Sequence, residues 1–466
     1  MCIIAPYTPL KSSNSILEVY NPPLSSNTAV SSTQKTTSDS SLGSNTKSQS
    51  NLEKQGLERS QSLRRSRFKL KNTSADLIKT LPLKNRVEQC NNCRANHEHN
   101  VKIKHNGKKG SKGKASFTNL MQCDNVWLCP VCASRIMAKR GSEVAQGAEA
   151  WTSAGGHIIM MTNTLRHSAD DNLADLLKSL KKATASFWGH RVIKRIFSDL
   201  GKVGHIKNLE VTHGSNGFHP HNHYAIFIKS SIQELDEYSV SYYLDDNNLA
   251  CYVSPYIEQQ LINKGRIDDI KTCSLTEFLS LFWIRCCVKA GLKRPTKENG
   301  LTIQDADNIK SYLTKIDSDS VGLGHELTNA ESKTSCDQFD FLRMYEQGDK
   351  TAGKLFQAFA LAIKGERALN WSRGLKDLLG IDDVADSEIE EDTTEDIAEI
   401  TPDLWHLVVR YRLHCKILET AELDYKNGTN ELSKKLSILA ERVAQERQKR
   451  SGQMSYEEWC STIPPS

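Results

Sequence analysis

The strongest constraint on the fold is the stretch from Leu209 to Lys229, LEVTHGSNGFHPHNHYAIFIK. Leu209–His213 alternates apolar and polar residues, Gly214-Ser215-Asn216-Gly217 is turn chemistry, and Tyr224–Ile228 is a strongly β-forming run. The stretch therefore reads as two antiparallel strands closed by a tight turn. Four of the 14 histidines, at positions 213, 219, 221 and 223, fall within it. His221 and His223 are two apart on a strand, so both leave the same face. Symmetric closure around Gly214 and Gly217 sets Glu210 opposite His221 on that face. His213 has the opposite parity and points away. Two imidazoles and a carboxylate on one sheet face make a three-ligand divalent-cation site with open positions, the form a catalytic metal needs.

HPHNHYAIF, preceded by LEVTHG and followed later by SYLTK, resembles the His-x-His motif of the HUH endonucleases. More narrowly, it resembles the plasmid rolling-circle replication initiator (Rep) proteins. The middle position, usually hydrophobic in that family, is Asn222 here, on the face away from the histidines. The resemblance implies an α+β fold of the HUH nuclease type, a central antiparallel sheet with flanking helices. It also implies Mg or Mn at Glu210, His221 and His223.

Around this hairpin the chain has room for two or three domains, with 466 residues. A hydrophobic content of 38% suggests that part of it never packs. A net charge of +5 is too mild to announce nucleic acid by itself. There is no run of eighteen apolar residues, so no transmembrane span is expected, and MCIIAPYTPL lacks the features of a signal peptide. Thirteen cysteines, several in Cys-x-x-Cys pairs, fit metal binding in a reducing bacterial cytoplasm better than disulfides.

Residues 1–80 read as a disordered tail. Ser25–Ser50 holds ten serines in 26 positions, and Lys54–Lys71 holds seven Lys or Arg against one Glu. The basic run reads either as a phosphate-contacting arm or as a solvated linker. Residues 81–145 read as a zinc-binding segment. Cys90-Asn-Asn-Cys93 and Cys129-Pro-Val-Cys132 are two knuckles that together complete a four-sulfur structural zinc site, with Cys123 as a spare. VKIKHNGKKGSKGKAS between them, with six lysines, reads as a basic surface loop, and VWLCPVCASRIMAKR resembles the cysteine segment of the Rep family.

Residues 146–330 read as the nuclease domain. His157–Leu165 is a buried-type strand, and Leu173–Phe187 and Thr276–Ala290 have helical spacing. Asp305 to Ile316 reads as a helix capped by Gln304 or Asp305, with Tyr312 and Lys315 on one side. SYLTK resembles the Rep motif whose tyrosine attacks the scissile phosphodiester and stays joined to the 5′ end. The resemblance implies Tyr312 as nucleophile, with Lys315 stabilising phosphate charge. Some Rep proteins carry a glutamate one turn earlier as the base for a second cleavage. That position is Asn308 here, leaving Asp305 and Asp307 as candidate termination acids.

Residues 331–466 read as mainly helical, with amphipathic helices at Leu404–Leu418 and Leu432–Val443 and an acidic linker at 382–399 carrying ten acids in eighteen positions. KGERALNWSRGL, from Lys364, resembles a segment downstream of the tyrosine in the same Rep group. With no Walker A loop, the chain brings no helicase motor. The expected function is a plasmid rolling-circle initiator that nicks single-stranded or cruciform origin DNA and religates it. Its expected partners are a host helicase and single-strand binding protein, with no membrane. The alternatives are a relaxase or single-strand transposase of the same chemistry, or a zinc-containing DNA-binding regulator without catalysis.

Overall fold

A computed structural model describes residues 44–107, 113–305, 335–382, 384 and 395–449. Its centre is the expected hairpin. β4 (Gly204–Gly214) and β5 (Gly217–Ile228) pair antiparallel with Gly214 opposite Gly217 and Glu210 opposite His221. Gly217 closes the turn at φ 81°, a left-handed conformation that costs glycine nothing. β3 (His157–Asn163) joins the other edge of β5, setting Thr162 opposite His223, and β9 (Leu301–Asp305) pairs with β3. β10 (Ser335–Cys336) and β11 (Leu369–Trp371) both pair with β4. The histidine-bearing β5 is thus the central strand of a six-stranded sheet.

Both faces of the sheet are covered, because both parities of β5 carry apolar residues at its C-terminal end. Tyr224, Ile226 and Ile228 face a core shared with α3 (Leu173–Gly189) and α7 (Leu275–Lys289), where Phe187, Phe278 and Trp283 are fully buried. Cys286 and Cys287 belong to this core as expected. Ala225 and Phe227 face the other way, packing with Ile158, Met160 and Ile206 against Val144 of α2 (Pro130–Ser153). Each fully buried large side chain contributes about 1.5–3 kcal/mol. The histidines lie on this second face, beyond the end of its small core.

Several expectations are corrected. The tail does not run to residue 80: Ser44–Ile78 is one helix, α1, with Leu70, Ala75 and Ile78 in the main core. Its basic run meets acids rather than forming a free arm, with Arg64 on Glu422, Arg65 on Glu419 and Lys69 on Glu346. The lysine-rich stretch between the knuckles is not wholly loop: β1 (Val101–His105) and β2 (Ala115–Thr118) form a hairpin there. Part of the acidic linker is strand β12 (Glu395–Ile400), which pairs with β1 and sets Asp396 against Lys102 and Lys104. This sheet packs on helices Pro402–Arg410, His414–Asn427 and Glu431–Lys449 around Trp405.

The expected helix over 404–418 is therefore two, broken where Arg412 adopts φ 54°. The boundary at residue 330 also dissolves. β10 and β11 belong to the central sheet, and the last helices pack back on residues 101–120. Asp305 is the last residue of β9, opposite Ile159, and the rest of the expected helix, 306–316, lies outside the described residues. Among the described residues, no helix is long and apolar enough to cross a membrane.

Candidate metal centres

The register of β4 and β5 carries Glu210, His221 and His223 to one point. Glu210 Oε2 stands 3.1 Å from His221 Nε2 and 3.0 Å from His223 Nε2. Partners behind the rings fix their orientation: His221 Nδ1 lies 3.1 Å from the His219 carbonyl, and His223 Nδ1 lies 2.9 Å from Thr162 Oγ1. A carbonyl only accepts, so His221 Nδ1 carries a proton and Nε2 is the ring atom that faces the Glu210 carboxylate. Two lone-pair donors at this distance need a cation between them, either a proton or a metal.

The spacing suits a metal. Two ligands 2.1 Å from a six-coordinate ion and at right angles to each other are about 3.0 Å apart. Burial opposes ionisation of Glu210, yet hydrogen bonds and charge from His221 and His223 outweigh it and hold the carboxyl well below the usual range. The Glu210 side chain keeps 47% of its surface open, so solvent or substrate reaches this side of the site.

Two neighbours were not anticipated. His219 stacks on His221 at 4.8 Å and His167 stacks on His219 at 4.6 Å, extending the site into a row of imidazoles. Burial pulls His219 down to about 4, with His221 and His167 adding to the shift. The parity that placed His221 and His223 on one face holds for His219 too. No sequence signal marks His167, which arrives on the loop after β3. His213 takes the opposite face, packing on Phe218 and Phe341, as its parity required.

The second cluster is made of thiols. Cys90, Cys123, Cys129 and Cys132 lie within 4.8 Å of one another. Their Sγ atoms are 3.4 Å apart for Cys90–Cys132, 3.6 Å for Cys123–Cys132 and 3.8 Å for Cys90–Cys129. Four sulfurs at 2.3 Å from a tetrahedral zinc would be about 3.8 Å apart, so the cluster fits that ion. The expected set is corrected in one member, with Cys123 taking the place given to Cys93. The backbone explains the exchange. Asn91 N donates to Met121 O and Met121 N to Cys93 O, so the pairing draws Cys93 along the ladder and brings Cys123 beside Cys90.

Behind the thiols lies Lys71, 1% exposed, whose Nζ donates to Cys90 O at 2.8 Å. Burial lowers its pKa, while charge on Cys90, Cys129, Cys123 and Cys132 works the other way. It offsets part of the negative charge that four thiolates would leave on a dication. Tyr312, Lys315 and Asp307 lie outside the described residues.

Residues 116–246, which include all three sheet ligands, match the family model described as a replication protein. The chain is 26% identical over 365 residues to "Protein rep" of Streptomyces lividans, covering 66% of this chain and 77% of that protein. It is 28% identical over 141 residues to a protein named "Neomycin resistance protein" of Streptomyces cyanogenus, covering 25% of this chain and 32% of that one. No solved structure matches.

Proposed function

We propose that this chain, a plasmid replication initiator by its replication-protein domain and its similarity to a Streptomyces Rep, nicks one strand of its origin through Tyr312 in the HUH manner. The observation that carries the reading is the convergence of Glu210 on β4 with His221 and His223 on the central strand β5, the carboxylate 3.1 and 3.0 Å from the two imidazoles. A divalent cation held by these residues, Mg or Mn, would polarise the scissile phosphate.

The chain's own residues supply the rest. Tyr312 Oη attacks phosphorus, the 3′ oxygen leaves, and the 5′ phosphate becomes a tyrosyl ester. The energy of the phosphodiester is kept in that ester, so no nucleotide is consumed. Lys315, three residues on, would stabilise charge on the same phosphate oxygens. Release occurs by transfer to a new 3′ hydroxyl, or by water activated at Asp305 or Asp307.

The four-thiolate cluster holds a structural zinc. Origin DNA is the substrate, and in the cytoplasm a host helicase unwinds the nicked duplex while single-strand binding protein covers the displaced strand.

The test is a denaturing gel of protein incubated with labelled single-stranded origin DNA and Mn. Wild type gives a labelled adduct, and Tyr312→Phe gives none while still binding DNA. An adduct from Tyr312→Phe would move the nucleophile elsewhere, with Tyr242 or Tyr243 next to examine. No adduct from wild type would leave a DNA-binding regulator without catalysis.

A further inference from the structure

A cleft of about 820 Å³ opens between two parts of the chain that the proposed chemistry leaves unused. One wall is the thiol segment and α2, including Cys123, Trp127 and Arg140. The other is Lys364–Asp377, a segment to which the nicking reaction gives no role. The cleft adjoins the Glu–His–His site through the sheet. β11 sets Leu369 opposite Asn208 and Trp371 opposite Ile206, and Leu209 N donates to Ala368 O at 2.7 Å. Residues 206, 208 and 210 share a face, so Glu210 lies roughly 7 Å along β4 from the cleft's floor, on the same side.

Its charge is unbalanced. Among the acids that line it, Asp124 is taken by Arg135 and Glu366 by Lys181, and Asp377 makes no ion pair among the described residues. Among the cations, Arg140 and Lys376 are both held on Glu143. Lys84, Lys364, Arg367 and Arg373 also line it and make no ion pair among the described residues, and all four are exposed. Four exposed cations against the one unpaired acid Asp377, along a groove beside a phosphate-polarising site, leave a net positive charge that matches a polyanion, and their spread along the groove matches a chain rather than one small anion. Two indoles, Trp127 and Trp371, line the same groove, and Trp371 Nε1 is buried with no acceptor among the described residues. Cationic grooves with aromatic walls suit unpaired bases, which offer a flat face at every nucleotide.

We infer that this cleft holds the backbone of single-stranded DNA on one side of the scissile phosphate. The inference rests on the nicking function proposed above. It also gives the thiol cluster a task, since the segment that carries Cys123 forms one wall.

The test measures binding of a fluorescent oligonucleotide in EDTA, where no cleavage occurs, at several salt concentrations. The triple variant Lys364→Gln, Arg367→Gln, Arg373→Gln removes three exposed charges. It should weaken binding about tenfold or more at low salt and lower the slope of log affinity against log salt by about 2, near 0.7 for each phosphate left without its cation. Three exposed lysines away from the cleft, Lys264, Lys271 and Lys426, changed to Gln serve as the control and should change the slope much less. Retained zinc content shows that the variants fold. An unchanged slope in the cleft variant would overturn the inference, as would an equal loss in the control. Tighter binding of the matching duplex than of the single strand, with the same sensitivity, would overturn the single-strand assignment. The two proposals fail separately. Wild type that binds through these residues but never nicks sinks the nicking function alone, and nicking with unaltered binding by the cleft variant sinks the cleft alone.

Discussion

Glu210 and His221 stand directly opposite each other across the β4–β5 ladder, and that single register pair brings a carboxylate oxygen within 3.1 Å of an imidazole nitrogen. His223 joins from the next same-face position, with Thr162 behind it. The three residues should therefore contribute unequally to cation affinity. His221→Ala and His223→Ala each remove a ligand whose ring is already oriented by a second hydrogen bond, and should weaken Mn binding by more than the about 10–100-fold that loss of an orienting partner costs. Glu210→Gln keeps one oxygen and should lose less. Thr162→Val should weaken binding through His223 alone. Calorimetric titration with Mn checks the order, and an unaltered isotherm for His223→Ala would exclude it as a ligand.

The thiol cluster makes a sharper distinction, because two cysteines exchange roles between spacing and structure. Purified protein should contain about one equivalent of zinc, bound tightly. Cys123→Ser should release it. Cys93→Ser should keep it and lose only local stability, because Cys93 is buried but outside the four converging thiols. Zinc content by mass spectrometry reads both variants, and the reverse pattern would restore the paired-knuckle set.

What the sequence revealed and what it hid divide by contact range. The hairpin was legible because its register follows from one turn and the period of two, so Glu210, His221 and the outward His213 could be placed from local letters alone. His219 obeyed the same parity and could have been included. The choice of Cys123 over Cys93 was not legible, since it depends on how residues 91–95 pair with 119–121, a contact no spacing rule encodes. Strand β12 was hidden for a related reason: an acidic run reads as solvated until the lysines of β1 lie beside it. Helix α1 was concealed differently. Leu70, Ser74 and Ile78 form a buried stripe at i, i+4, i+8, but serine-rich and basic neighbours lower the average that composition reports.

That stripe makes the N-terminal helix part of the folded body. Leu70 is 1% exposed in the main core. Leu70→Ala should cost about 2–5 kcal/mol, the range for buried large-to-small changes. The urea midpoint measures it. A shift within error would mean that α1 detaches in solution, and deletion of residues 1–80 would then leave stability unchanged.

His414 should give the protein an acid limit. It is 5% exposed, stacked on Phe68 at 5.3 Å and set edge-on to Trp405. Burial pulls its pKa down to about 3, and the nearby Lys71 ammonium adds to the shift. An unfolded histidine takes up a proton as pH falls through about 6.5, whereas the folded one stays neutral until about 3. Between those values the unfolded state binds more protons, so stability present above pH 6.5 is lost as pH falls, by at most about 1.4 kcal/mol per pH unit from this group. His205, also held near 3 by burial and its lysine neighbours, adds a second term of the same sign. His414→Gln cannot take up that proton in either state. Its unfolding free energy should therefore fall less steeply than wild type between pH 6.5 and 4, even if the variant is weaker at pH 7. Urea titrations across that range compare the slopes, and parallel lines would show that His414 is protonated in the folded protein.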